Sequence, residues 1–181
     1  MAPSTRTLVA ALLALLPATT RSAPSEAAQP SPAPASSVAV LKDLKGHSVG
    51  KVVLTETPHG LLVRGRLSGV PTGMHALHFH ETGRCESPFK TAGGHFNPTQ
   101  RTHGALDPGG PHAGDLPNLV VPKTGKLDFE LLVSGVSLNS GPGMLLDADG
   151  SALVLHARPD DHLTQPSGDA GDRIACAVII R

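Results

Sequence analysis

Six of the ten histidines in this 181-residue chain fall between Gly73 and Asp115: His75, His78, His80, His95, His103 and His112. Imidazole at this density, closed by the carboxylate of Asp115, is the chemistry of metal ligation rather than of a solvated loop. His78 and His80 are spaced by two, and on a strand that period puts both rings on one face, within reach of a single ion. His75 is odd-spaced from them and is expected on the core side, as a satisfied histidine or an outer partner of the site. His95, His103 and His112 with Asp115 offer three imidazoles and a carboxylate, a closed tetrahedral set suited to zinc. His78 and His80 need further ligands, and an imidazole-rich site suits copper. His156, at the end of the apolar run SALVLH, is the natural third. Two four-coordinate ions need eight contacts where these seven residues are on offer. One imidazole bridging through both ring nitrogens would close that count, and so would a water molecule.

Short strands must hold these residues. Val38–Leu44, Val49–Glu56, Leu61–Leu67, Met74–His80, Asn118–Val121, Leu127–Val133, Ala152–His156 and Ile174–Ile180 alternate or cluster apolar residues between turn residues. Lys123-Thr124-Gly125 reads as a hairpin turn between the fifth and sixth of these. No stretch keeps a helical period for more than a turn or two. The expected fold is therefore all-β, an eight-stranded antiparallel Greek-key barrel or sandwich. Two connections, Glu81–Pro117 and Ala157–Asp172, are too long for hairpins, and function is expected where these long loops meet.

Composition bounds the reading further. The chain has no Trp or Tyr and only four Phe, so Val, Leu and Ile must build the core, while 20 Gly and 17 Pro point to many turns. Formal net charge is zero with scattered cations, which argues against a nucleic acid or an anionic membrane as partner. Residues 1–27 have the order of a secretory signal peptide: Arg6, an apolar run from Leu8 to Leu16, then Pro17 and small residues. That run is too short to span a bilayer, which takes roughly 20 residues. An uncleaved anchor is the alternative. Residues 28–37 read as a Pro/Ala/Ser-rich linker, and residues 38–181 as the folded domain. Secretion implies an oxidising compartment, periplasmic or extracellular, where Cys85 and Cys176 are expected to pair rather than to stay free or ligate metal. Closing a loop of this size should add roughly 4–5 kcal/mol at the upper end.

The motifs HFHETGRC, GGHFNP, THG, HAGDLPN, LVLHARPDD and GDRIACAVI, in that order from about Val38 to Ile180, resemble those of copper/zinc superoxide dismutases. The resemblance implies His78, His80, His95 and His156 as copper ligands, and His95, His103, His112 and Asp115 as zinc ligands. His95 would bridge the two metals, and Cys85 and Cys176 would form the family disulfide. Arg173 would attract the anion beside copper, and Asp160 would link a copper-ligand histidine to a zinc-ligand histidine, with Asp161 competing for that role. The implied activity is dismutation of superoxide to dioxygen and hydrogen peroxide by a redox-cycling copper bridged through His95 to a structural zinc. A homodimer is one assembly the resemblance implies, and no exposed stripe decides its face. Four residues separate His80 from Cys85, a spacing similar to that of bacterial secreted members. The second loop lacks a Glu/Lys cluster for long-range steering, His162 is expected at the surface, and His47 and His59 have no assigned role. A non-catalytic copper-binding relative would be expected to lose ligands or the arginine, and a di-zinc hydrolase would need an open zinc position.

Overall fold

A computed structural model describes residues 33–180. The expected signal peptide and residues 28–32 of the expected linker lie outside the described residues. The strands are β1 (Ser36–Asp43), β2 (Ser48–Thr57), β3 (Gly60–Ser68), β4 (Gly73–His75), β5 (Leu77–His80), β6 (Leu119–Val121), β7 (Lys126–Val133), β8 (Ser151–His156) and β9 (Arg173–Ile179). Among the described residues the only helical element is a 3-10 turn at Lys90–Ala92. One antiparallel seven-stranded sheet runs β5-β8-β9-β1-β2-β3-β7, and β4 pairs with β6 in a second, two-stranded one. The all-β antiparallel expectation holds, with two differences in detail.

The expected strand Met74–His80 is two strands, because Ala76 leaves the ladder. Its N–H donates to the Arg158 carbonyl and its carbonyl accepts from the His156 N–H, each at 2.9 Å. The chain thus steps from the small sheet to the large one, and nine strands stand where eight were expected. The hairpin at Lys123-Thr124-Gly125 forms its turn, with the Gly125 N–H on the Pro122 carbonyl at 2.9 Å, but not its ladder. β7 instead pairs with β3 over eight residues, whereas β6 keeps a three-residue ladder with β4. Complementary charges lie across the longer ladder, where Arg64 meets Glu130 at 2.5 Å and Arg66 meets Asp128 at 2.6 Å. At the chain start, β1 includes Ser36 and Ser37, so regular structure begins two residues before Val38.

The strands alternate as a half-buried sheet requires. In β1 Ala39 and Leu41 face inward, and in β3 Leu61, Val63 and Leu67 do. With Phe79, Leu153, Leu155, Ala175, Ala177 and Ile179 they form one aliphatic core containing few aromatics. β5 and β8 are buried on both faces. Leu77 and Phe79 of β5 enter the core, whereas His78 and His80 point to the outer face, under the loop that follows. That loop runs back along β5. The Phe79 N–H donates to the Gly114 carbonyl at 2.9 Å, and the Phe96 N–H donates to the Phe79 carbonyl at 2.8 Å. A Cβ on Gly114 would lie 2.5 Å from the Phe79 carbonyl oxygen, so only glycine admits this approach.

The loop is fastened by the disulfide Cys85–Cys176, with Cα atoms 5.7 Å apart. Around it Phe89, Ala92, Ala152 and Val154 form a second, smaller apolar cluster on the outer face of β8 and β9. Between Leu155 and His156 the register with β9 slips by one residue, so His156 sits opposite Arg173 rather than Ile174. Ile174 packs against the main core. This bulge turns Arg173 to the face that carries the histidines.

The disulfide closes a loop of 91 residues, so its removal releases a large conformational entropy in the unfolded chain. Reduction, or the Cys85→Ser/Cys176→Ser double variant, is expected to cost about 2–5 kcal/mol. Urea unfolding of oxidised and reduced protein measures this, and coincident midpoints would contradict it.

Candidate metal centre

The structure brings together two groups of side chains that could hold metal: His78, His80, His95 and His156, and His95, His103, His112 and Asp115. In each group the ligand atoms all lie within 4.8 Å of one another, and His95 belongs to both. β5 supplies His78 and His80, the end of β8 supplies His156, and the loop folded over β5 supplies the rest. Short bridges of the loop to β5, Asp115 opposite His78 and His95 opposite His80, set the loop's register over the strand.

Hydrogen bonds assign the tautomers, because carbonyl and carboxylate oxygens can only accept. His78 Nε2 and His103 Nε2 each donate to Asp160, at 2.9 Å, one to each carboxylate oxygen. Both Nδ1 atoms therefore carry lone pairs, and both are buried without a hydrogen-bond partner. His80 Nδ1 donates to the Gly93 carbonyl at 3.1 Å and His156 Nδ1 to the Gly171 carbonyl at 3.3 Å. Their Nε2 atoms then face each other at 3.3 Å with no proton to share. His95 Nδ1 lies 2.8 Å from Asp115 Oδ1, and its buried Nε2 has no partner. His103 Nδ1 lies 3.0 Å from Asp115 Oδ2 but lacks the geometry of a hydrogen bond. The bare nitrogens of His78, His80, His103 and His156 and the Nε2 of His95 have no donor to satisfy them, which fits cations. The donor set fits one imidazole-only ion and one held by imidazoles and a carboxylate.

Protonation favours the same state. Burial pushes His78 down to about 4 against the pull of Asp160, and pushes His80 to about 2 and His156 to about 3. Burial also lowers His112. Burial opposes ionisation of Asp115, but hydrogen bonds from His95 and the Gly104 N–H outweigh it and hold the carboxyl well below its usual range. Asp160 is likewise held down against burial, by hydrogen bonds from His78 and His103. Neutral imidazoles beside ionised carboxylates favour cation binding, and the proton that His95 Nδ1 donates to Asp115 is the one to be released.

His95, His112 and His156 reach a cleft of about 460 Å³ that Glu81, Ser167 and Arg173 also line. The Arg173 guanidinium donates to the carbonyls of Phe89 and Gly93, each at 2.6 Å, which leaves it aimed along the cleft wall. Burial lowers its pKa and the Glu81 carboxylate opposes this, but an arginine stays charged at neutral pH. The cleft therefore offers a small anion one fixed positive charge next to His156 and His95.

A family model described as copper/zinc superoxide dismutase matches residues 48–179. The chain belongs to that family. A superoxide dismutase [Cu-Zn] from Caulobacter vibrioides is 48% identical over 148 residues, covering 80% of this chain and 85% of that protein. One from Aquifex aeolicus is 44% identical over 138 residues, covering 75% and 82%. Among solved structures, a SOD-like protein from Bacillus subtilis superposes with a TM-score of 0.77 at 36% identity, covering 79% of this chain and 97% of that one. The activity is accordingly dismutation of superoxide to dioxygen and hydrogen peroxide, with copper and zinc ions as cofactors.

Of the residues singled out in the sequence, His78, His80, His95, His103, His112, Asp115 and His156 fall in the two groups, Asp160 bonds to two of them, and Arg173 lines the cleft. His75 is buried with its two ring nitrogens on the carbonyls of His156 and Pro71, at 2.8 and 3.0 Å, so it braces the strand end that carries His156. Asp161 does not face the metal groups. It caps a turn through the N–H groups of Leu163 and Thr164. His162 is partly exposed, and its Nε2 lies 3.3 Å from Asn118 Nδ2. Sequence reasoning missed Glu81 and Ser167 in the cleft wall, and the Gly93 and Gly171 carbonyls that orient His80 and His156. Backbone acceptors leave no residue-type signal. Glu81 next to two ligands was visible, but its carboxylate could as well have been solvated.

In the metal-free enzyme His78 is neutral when folded down to about pH 4, whereas an exposed imidazole protonates near 6.5. Between these values the unfolded chain binds more protons, so stability falls as pH drops from 6.5 toward 4 and is level above 6.5. His80 and His156 act in the same direction. Urea midpoints of the metal-free protein are expected to drop between about pH 7 and about pH 5. A midpoint that stays flat there would contradict neutral buried imidazoles.

Proposed function

We propose that His78, His80, His95 and His156 hold the copper and that His95, His103, His112 and Asp115 hold the zinc. The observation that carries this reading is that His95 belongs to both groups, with Nδ1 on Asp115 and a buried, unpartnered Nε2. Copper supplies a one-electron couple that superoxide alternately reduces and reoxidises, and zinc supplies a fixed positive charge that lowers the pKa of a shared imidazole.

The chain's own residues do the rest. Arg173 draws the anion into the cleft and orients it beside His156, and Glu81 limits the positive field there to a narrow strip. His95 would hold a proton for the product peroxide on Nε2, since the residue lines the cleft and its Nδ1 is engaged by Asp115. Asp160 keeps His78 and His103 in the tautomer that presents Nδ1. Arg173 is the one guanidinium lining the cleft among the described residues, and the second loop has no lysine, so attraction is local rather than long-range.

The same reading extends to the whole chain. Residues 1–27 act as a signal peptide, the linker that follows gives way to β1 at Ser36, the dismutase domain runs on from there, and the mature enzyme works in the periplasm or outside the cell. The disulfide supports an oxidising compartment. So does the likeness, at 36% identity, to an extracellular superoxide dismutase [Cu-Zn] from Haemonchus contortus. No helix among the described residues is long and apolar enough to cross a membrane. We extend the proposal to a homodimer, an assembly that would cover exposed apolar side chains such as Val38, Val40 and Ile180, which line one surface pocket.

Metal analysis of purified enzyme is expected to give equimolar copper and zinc, with superoxide consumption lost on chelation and restored by both ions. His156→Ala should lose more activity than the roughly 10–100-fold typical of changes to outer partners. Arg173→Ala should lower kcat/KM about tenfold or more while metal content holds. Two zinc ions per chain, or full dismutation by His156→Ala, would overturn the ligand assignment.

A further inference from the structure

Two side-chain amides stand just behind the metal groups, and each holds both the N–H and the carbonyl of one residue. The Asp160 N–H donates to Asn118 Oδ1 at 2.8 Å, and Asn118 Nδ2 donates to the Asp160 carbonyl at 2.8 Å. The His103 N–H donates to Gln165 Oε1 at 2.9 Å, and Gln165 Nε2 donates to the His103 carbonyl at 2.9 Å. An amide placed this way imitates the facing residue of an antiparallel ladder, with one bond given and one received. Two such bonds fix both the position and the tilt of the backbone they hold.

The two gripped residues are the two ends of one buried hydrogen bond, from His103 Nε2 to Asp160 Oδ1 at 2.9 Å. The grips are also reciprocal. Asn118 leaves the end of the first long loop and holds a residue of the second, and Gln165 leaves the second loop and holds a residue of the first. Around this pair the packing allows no slack. A Cβ on Gly168 would lie 1.8 Å from Asp160 Oδ1 and 2.7 Å from His103 Nε2, and the His162 N–H donates to Asp160 Oδ1 at 2.6 Å. Gln165 Nε2 also reaches the Leu163 carbonyl at 3.1 Å, which fixes the amide in its own loop.

We propose that Asn118 and Gln165 form a reciprocal amide latch between the two long loops, and that Gln165 is a positioning residue for zinc. It holds His103 where its Nδ1 meets the zinc group, so ordering that ligand costs less when the metal binds. Asn118 acts through Asp160, which touches both His78 and His103, and so it serves both metals. The proposal rests on the zinc set proposed above.

Zinc and copper dissociation constants, measured on the folded enzyme by competition with a chelator, test it. Gln165→Ala is expected to weaken zinc about tenfold and leave copper nearly unchanged. Gln165→Glu, which keeps the acceptor for the His103 N–H but sets a carboxylate oxygen against the His103 and Leu163 carbonyls and Asp107, should weaken zinc at least as much. It also serves if the alanine variant does not fold. Asn118→Ala should weaken both metals. Loss of thermal stability alone would not move these constants, so a structural role gives a different result. Zinc constants within about twofold of wild type in both Gln165 variants would overturn the latch. His103→Ala separates the two readings. Tight zinc binding that survives this change refutes the ligand set. If it is lost while both Gln165 variants bind normally, only the latch is refuted.

Discussion

One buried carboxylate governs this site. Asp160 is 3% exposed and takes a hydrogen bond from an imidazole on each of its oxygens, one from His78 and one from His103. Because a carboxylate can only accept, it fixes the proton of each ring on Nε2 and leaves Nδ1 bare. Without it, both histidines could flip or change tautomer, and the two metal groups would lose a ligand each. The same two bonds keep Asp160 ionised in an environment that would otherwise neutralise it. Ligand geometry and charge state thus come from a single interaction, and neither metal group is independent of the other.

The sheet decides where that interaction can form. A strand that is half core and half histidine needs a cover on its outer face, and the first long loop supplies it, held by the disulfide and by the small cluster around Phe89 and Val154. The bulge opposite His156 is the matching device on the other strand. Without the one-residue slip, Ile174 would face the cleft and the guanidinium would point toward an aliphatic core. A local irregularity in pairing thereby becomes a local positive potential for an anion.

Much of this is legible in the residues. His78 and His80 follow from the period of a strand, and Asp115 and the three loop histidines from the ligand chemistry of zinc. His156 follows from its place at the end of an apolar run, whereas Asp160 and Arg173 owed their roles to motif resemblance more than to pattern. What escaped the sequence is of another kind. The break at Ala76 depends on backbone partners contributed by Arg158 and His156, more than 75 residues away along the chain. The turn at Lys123-Thr124-Gly125 was recognisable, but its flanking strands chose partners by ladder length and charge rather than by proximity. The amides of Asn118 and Gln165 look like ordinary loop residues until both loops are folded. Polar side chains that bond to backbone carry no signature of the residue they hold.

The register that unites β5 with β8 also has a temporal side. His80 and His156 lie 76 residues apart, and His78 and Asp160 lie 82 apart. Contacts of such long range form late, after much loop-closure entropy has been lost. A chain emerging amino-terminus first presents His95, His103, His112 and Asp115 before β8 exists, yet lacks His156 of the imidazole-only group until β8 docks. The topology therefore delays completion of the imidazole-only group until the sheet around it is nearly complete, so that the group closes inside a finished enclosure rather than on a nascent chain.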